Sequence, residues 1–318
     1  MHKNNLILRF GKMKNLITIL GPTATGKTKL AAALAAIIGG EIISADSRQV
    51  YRGMDIGTGK DLDDYRYNGQ VIPYHLIDIV ETGHEYNIFE FQRDFASAFR
   101  KIAERNKIPI LTGGSGLYLD AVVNGYELTE APEDPYLRKR LERYTDDELR
   151  DKLKSYGPLH NTTDLLDRKR TVRAIEIKEY EKHNPMRKVT MPAIDSVIFG
   201  ISFERQEIRS RITARLMKRL EQGMIDEVKR LMEQGVEPEK LIFYGLEYKF
   251  VTLYLIGELT YEQMFAQLNT AIHQLAKRQI TWFRRMEKRG TKIYWIDGTI
   301  PLDNKLNTIL KVLASIKF

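Results

Sequence analysis

Residues 16–28 read Leu16-Ile17-Thr18-Ile19-Leu20-Gly21-Pro22-Thr23-Ala24-Thr25-Gly26-Lys27-Thr28, and the fold follows from how this stretch changes character along its length. The first five residues are an apolar run rich in β-formers, as expected of a parallel strand buried on both faces. The last eight fit G-x-x-x-x-G-K-[ST] in full and lie where that motif works, between a strand and a helix. Glycines let the backbone curl until its N–H groups face an anion, and the helix N-terminus adds a favourable dipole. Gly21, Pro22, Thr23, Ala24, Thr25, Gly26, Lys27 and Thr28 therefore read as a phosphate cradle. Lys27 supplies the positive charge, and the Thr28 hydroxyl suits a Mg²⁺ ligand. The motif specifies a diphosphate or triphosphate and leaves open which molecule carries it. An ATP-using kinase and an enzyme that expels diphosphate present the same loop.

Outward from the cradle, Leu30, Ala31, Leu34, Ala35 and Ile38 recur at helical spacing, and Gly39-Gly40 closes that helix. A second strand, Glu41 to Ala45, ends at Asp46 and completes a β-α-β unit. Val71 to Val80 and Ile108 to Thr112 are predicted as further strands. Between them runs a helix with the stripe Ile88, Phe91, Phe95, Phe99 and Ile102, opened by a capping-box pattern at Asn87 and Glu90. Strands alternating with amphipathic helices predict an α/β fold, a P-loop NTPase-like three-layer parallel sheet. The pattern changes after residue 125. Thr129 to Pro135 leads into charged, leucine-spaced helical sequence through Tyr180, and His183 to Pro192 is a basic, proline-containing return. Val197 to Phe203 then resumes as a strand. Residues 1–125 and 197–318 are thus expected to form the core, largely helical toward its end apart from a strand at Lys292 to Ile296. Residues 126–196 are expected to form a helical insertion.

Composition narrows the chemistry. The 318 residues suffice for about two domains, and 43% are hydrophobic. There is no cysteine, which excludes disulfides, a thiolate nucleophile and cysteine-ligated zinc. The six histidines show no paired metal-ligand spacing. No apolar run approaches the roughly 20 residues that cross a bilayer, so no membrane association is expected. The basic leader has a mainly apolar stretch only from Leu6 to Phe10, too short for a signal peptide. Met13 stands just before the first strand as a second candidate start. A reducing cytosol is the expected setting. The formal charge of +8 is compatible with a polyanionic partner.

A second motif follows the second strand: Asp46-Ser47-Arg48-Gln49-Val50-Tyr51, then Met54-Asp55-Ile56-Gly57-Thr58-Gly59-Lys60. Residues at the carboxyl end of a strand beside the P-loop face the ligand crevice, so Asp46 is placed to act on whatever attacks the phosphorylated compound. Further on come Gly113-Gly114-Ser115-Gly116-Leu117-Tyr118 and Lys277-Arg278-Gln279-Ile280-Thr281-Trp282-Phe283-Arg284. With these four ordered motifs, from about Leu16 to beyond Arg284, the chain resembles the tRNA dimethylallyltransferase (tRNA isopentenyltransferase) family.

That resemblance implies transfer of a dimethylallyl group from dimethylallyl diphosphate to N6 of adenosine 37, just 3′ of the anticodon of tRNA, by a monomer. It implies Asp46 as the base for the amine proton, and the cradle with Mg²⁺ near Thr28 as the holder of the diphosphate. Arg215 matches the family arginine on the diphosphate, and Ser115, which stands where many members have Thr, is implied as a further catalytic residue and tRNA contact whose hydroxyl hydrogen-bonds at the reacting end. Asp46, Ser47, Arg48 and Gln49 match tRNA-contact positions. Arg138, Lys169, Arg170, Thr171, Val172 and Arg173 of the insertion match others, on the anticodon stem-loop. Gly245 and the segment Lys277, Arg278, Gln279, Ile280, Thr281, Trp282, Phe283 and Arg284 complete the set. The charges of the last segment are expected on RNA, with Trp282 or Phe283 packed inward. The chain departs from the family at Glu247, in Tyr244-Gly245-Leu246-Glu247-Tyr248, where many members carry a basic residue. The carboxylate is expected to read a base edge or pair with a neighbouring lysine. A P-loop kinase, a transferase acting on free adenine nucleotide and a non-catalytic RNA-binding module are the competing readings. The basic insertion and the Lys277–Arg284 segment weigh against the first two, and the intact P-loop with Asp46 against the third.

Overall fold

The computed structural model describes residues 14–157, 165, 167–184 and 190–316. The basic leader and the centre of the basic return, 185–189, lie outside the described residues. Leu16–Leu20 is β1, Lys27–Ile38 is α1 and Gly40–Ala45 is β2. Gly39, at φ 68°, ends α1 and donates its N–H to Ala35, as a left-handed helix terminus requires. Then come Arg66–Tyr67 (β3), Gln70–Val71 (β4), Tyr74–His75 (β5), Ile88–Glu104 (α2), Ile108–Gly113 (β6) and Gly116–Val123 (α3). Pro135–Leu141 (α4), Asp146–Ser155 (α5) and Arg168–His183 (α6) follow. The chain continues through Ser196–Ser202 (β7), Arg205–Glu221 (α7), Met224–Glu233 (α8), Pro238–Phe243 (α9), Leu246–Leu255 (α10) and Tyr261–Lys288 (α11). Ile293–Asp297 (β8) and Leu302–Ala314 (α12) close it.

Among the described residues the main sheet has six parallel strands in the order β5-β2-β6-β1-β7-β8. Both faces are covered, which explains the unbroken apolar run of β1. Ile17 and Ile19 pack with Leu30 and Leu34 of α1 and Leu306 and Ile309 of α12. Leu16 and Leu20 point into the opposite layer, with Phe91 and Phe95 of α2 and Phe283 of α11. At the start of α2, Asn87 and Glu90 make both bonds of a capping box.

The predicted strand Val71 to Val80 breaks up. Asn68 and Gly69, with φ of 48° and 79°, form a two-residue turn that pairs Val71 back onto Arg66. Only Tyr74 and His75 join the sheet, on Ile42 and Ile43. Leu76 and Asp78 then take positive φ, incompatible with a continuing strand, and the Asp78 carboxylate bonds the buried Lys60 ammonium.

The chain divides into two compact units. One comprises the chain up to Gly125 together with residues from Met191 on, and contains the sheet. The other, Tyr126–Thr190, holds α4 to α6 around Leu137, Leu141, Leu149, Leu153 and Ile175. It ends at Thr190 where 196 was expected, because Met191 and Ile194 already pack against the core of the larger unit.

Candidate active site

β2, β6 and β1 are neighbours, so the loops that follow them open side by side at the carboxyl edge of the sheet, where α/β proteins bind ligands. A cleft of about 1110 Å³ lies there, lined by the loops after all three strands and by α7 and α11.

The cradle comes from β1. Ala24 and Gly26 take φ of 63° and 74°; at Gly26 the helix starts without a side-chain cap, which leaves backbone N–H donors facing the cleft. Thr25 Oγ1 donates to Pro22 O at 2.8 Å, and Lys27 Nζ donates to the same carbonyl at 3.1 Å. The turn is held from outside by Gln279 of α11. Its Oε1 accepts from Thr23 N and its Nε2 donates to Gly114 O, both at 2.9 Å. A Cβ at Gly114 would stand 2.5 Å from Gln279 Nε2, so only glycine admits this bridge. Burial and the nearby Arg215 guanidinium push the Lys27 ammonium down to about 8, with Arg219 adding to the effect and Asp46 opposing it.

β2 supplies Asp46. Its Oδ1 accepts from Arg48 N at 2.9 Å, the local turn that Asp favours after a strand. β6 supplies Ser115, whose Oγ accepts from Ser47 N at 3.2 Å, tying the loop after β6 to the loop after β2. Gln49 donates to Gly59 O at 3.0 Å. The segment Asp55–Gly57 is fastened by a residue that sequence reading missed. The buried Glu227 of α8 accepts from the N–H groups of Asp55, Ile56 and Gly57 at 2.8–3.0 Å and from Tyr248 Oη at 2.6 Å.

The opposite wall is α7. Arg215 donates to Asp61 Oδ2 at 2.6 Å and lies 3.5 Å from Thr23 Oγ1; Arg211 donates to Ala24 O at 3.0 Å. Glu247 faces this wall, so the expected lysine partner is corrected to an arginine, Arg219 Nη1 at 3.8 Å. Burial pushes the Glu247 carboxyl up, and Arg219 opposes the shift.

The cleft thus gathers Thr23 to Thr28, Asp46 to Gln49, Ser115, Arg215, Gly245, Arg278, Gln279 and Trp282. Gly21 and Pro22 are buried beneath it. Lys277, Arg278, Thr281 and Arg284 form one exposed stripe on α11, whereas Phe283 is fully buried and Trp282 donates to Asp120 at 3.1 Å. In the other unit Lys169 and Arg170 are exposed. Arg138 and Arg173 instead pair with the buried Glu176, at 2.7 and 3.1 Å. Thr171 is buried and donates to Asp167 O, and Val172 packs on the helical core.

A parallel sheet with a glycine-rich loop after a central strand, a carboxylate at the end of a nearby strand and an arginine wall opposite define a P-loop-like α/β protein. The family model described as IPP transferase matches residues 49–286, and one described as isopentenyl transferase matches 14–68. A tRNA dimethylallyltransferase 2 of Bacteroides fragilis is 54% identical over 299 residues, 94% of this chain and 98% of that protein. A tRNA dimethylallyltransferase 1 of Parabacteroides distasonis is 55% identical over 302 residues, 95% of this chain and 98% of its own length. The crystal structure of the tRNA isopentenylpyrophosphate transferase from Bacillus halodurans superposes with a TM-score of 0.69 at 33% identity, covering 96% of each chain. A eukaryotic dimethylallyltransferase acting on tRNA gives 0.73 at 25%, covering 96% of this chain and 81% of the other. The chain belongs to the tRNA dimethylallyltransferase family.

Proposed function

We propose that this protein transfers the dimethylallyl group of dimethylallyl diphosphate to N6 of the adenosine directly 3′ of the anticodon in tRNA, releasing diphosphate. The observation that carries the reading is the convergence, in one cleft, of the phosphate cradle, the carboxylate of Asp46 and the guanidinium of Arg215. N6 is a weak nucleophile because its lone pair is delocalised into the ring, so the reaction needs help at both ends. The N6–carbon bond forms, the carbon–oxygen bond breaks with its electron pair leaving on the diphosphate, and the N6 proton passes to Asp46. Among the described residues Asp46 Oδ1 is engaged by Arg48 N and Oδ2 has no such bond, which suits Oδ2 to the proton transfer. An allylic carbon tolerates cationic character, so charge neutralisation by Lys27, the loop N–H groups and Arg215 contributes more than activation of the amine.

Mg²⁺ suits this donor set. Among the described residues no cluster of three His, Cys, Asp or Glu side chains is formed for a metal. An ion here would be held by the Thr28 hydroxyl together with phosphate oxygens and water, the usual manner for Mg²⁺ on a phosphate ester. Bound there, it neutralises diphosphate charge. The base leaves its stack to enter the cleft. Lys169, Arg170 and the α11 stripe, all exposed, are the phosphate-tracking cations in this reading. In this reading the protein acts as a monomer. Among the described residues no helix is long and apolar enough to cross a membrane.

The test is incubation with labelled dimethylallyl diphosphate, Mg²⁺ and unmodified tRNA, followed by nucleoside analysis. N6-dimethylallyladenosine in the tRNA is the expected product. Label on free AMP but not tRNA, or ATP consumption without the prenyl donor, would replace this reading with the nucleotide-transferase or kinase alternative.

A further inference from the structure

Arg219 is a cation of the cleft that the mechanism above leaves without a task. It lies one helical turn beyond Arg215 on α7, so the two side chains leave the same face. Its side chain is only 9% exposed, and its Nε has no hydrogen-bond partner among the described residues. The nearest carboxylate oxygens, Asp61 at 3.9 Å and Glu247 at 3.8 Å, stand at ion-pair rather than hydrogen-bond range. Arg215, by contrast, contacts Asp61 at 2.6 Å. A guanidinium carries five donors in a rigid fork, and a buried one left unbonded is costly. A purely structural arginine in this position would lock bidentately onto Glu247.

Both guanidiniums converge on Gly59, where a Cβ would stand 1.8 Å from Arg219 Nη2 and 2.9 Å from Arg215 Nη2. Lys27 is close enough for both arginines to depress its pKa. Three cations held this near one another, with Asp61 and Glu247 between and behind them, call for a multiply charged anion.

We propose that Arg219 is a second arginine of the diphosphate site, donating its Nε–H and one Nη–H to phosphate oxygens beyond those covered by the P-loop, and that Glu247 is the residue that positions it. The proposal rests on the diphosphate-transfer reading and adds to it a specific donor.

The probe is inorganic diphosphate with Mg²⁺, titrated calorimetrically into the full chain. Arg219→Met keeps the buried bulk without the fork. Its affinity for diphosphate is expected to fall at least about tenfold, the loss of a charge-assisted pair of bonds, with affinity for an anticodon stem-loop unchanged. Glu247→Gln is expected to weaken diphosphate binding about threefold, because the fork loses the carboxylate that orients it, and that loss should vanish in an Arg219→Met background. Wild-type diphosphate affinity in Arg219→Met, with binding lost in Lys27→Ala, would overturn the role of Arg219 and leave the P-loop reading intact. No diphosphate binding by the wild-type chain would remove both. If Arg219→Met does not fold, Glu247→Gln decides: unchanged affinity in that variant would overturn the proposal.

Discussion

At the scale of the residue, the cleft sets tasks that substitutions can separate. Asp46→Ala should cut turnover by about a hundredfold or more, the usual worth of a positioned base, while tRNA affinity measured by filter binding stays within a few-fold. Full turnover in that variant would remove Asp46 from the chemistry. Lys27 has a pH signature. Its folded-state pKa is depressed to about 8, so below that pH the ammonium is already present and the donor binds without taking up a proton. Above it, kcat/KM for the donor should fall about tenfold per pH unit, and Lys27→Arg should erase that inflection. A flat profile to about pH 10, the ordinary lysine range, would mean that Lys27 keeps its ordinary pKa in the free enzyme or that the donor does not need its charge. Much of this chemistry is legible in the sequence, because Gly21 to Thr28 is contiguous and its spacing carries the backbone geometry. Arg219 is not legible there, since its identity as a cleft residue depends on Gly59, Asp61 and Glu247, which only folding brings to it.

At the scale of the element, the loop from Asp55 to Gly59 has no regular structure, and one distant side chain, Glu227, accepts three of its N–H groups. Glu227→Ala would leave three N–H groups and the Tyr248 hydroxyl without their acceptor, a loss of about 3 kcal/mol on the usual cost of unmade bonds. A lower Tm, faster amide exchange at residues 55–57 and a raised donor KM are expected together. Unchanged exchange there would show that the loop holds its shape without Glu227. Glu227 lies in the first turn of α8 beside Asp226, where acidic residues are ordinary and nothing local marks it, whereas the capping box at Asn87 is a pattern of four residues and is plain in the sequence. The broken strand after Val71 has the opposite lesson. Asn68-Gly69 is a strong hairpin signal, and the apolar run beyond it masks that signal.

At the scale of the whole molecule, the helical unit separates charges that look alike in sequence. Lys169 and Arg170 are exposed, while Arg138 and Arg173 neutralise the buried Glu176. Removing Lys169 or Arg170 should weaken tRNA binding and lower the slope of log affinity against log salt by about 1 each. Arg138→Ala should act chiefly on stability. The cost should stay below the roughly 3 kcal/mol of a fully buried pair, because Arg138 is partly exposed and Arg173 remains. An Arg138→Ala chain with wild-type Tm but a reduced salt slope would return that residue to the RNA surface.

The order of strands also bears on how the protein comes into being. β1 carries the cradle, yet along its whole length one of its two partners is β7, and Ser196 stands 180 residues after Leu16. On a ribosome adding about 5–20 residues per second, the first strand waits on the order of ten seconds or more for that neighbour, while the helical unit is made in between. A nascent chain that stops short of β7 therefore has the phosphate signature in its sequence but lacks the strand that borders it, and ligand-binding competence is acquired late in synthesis.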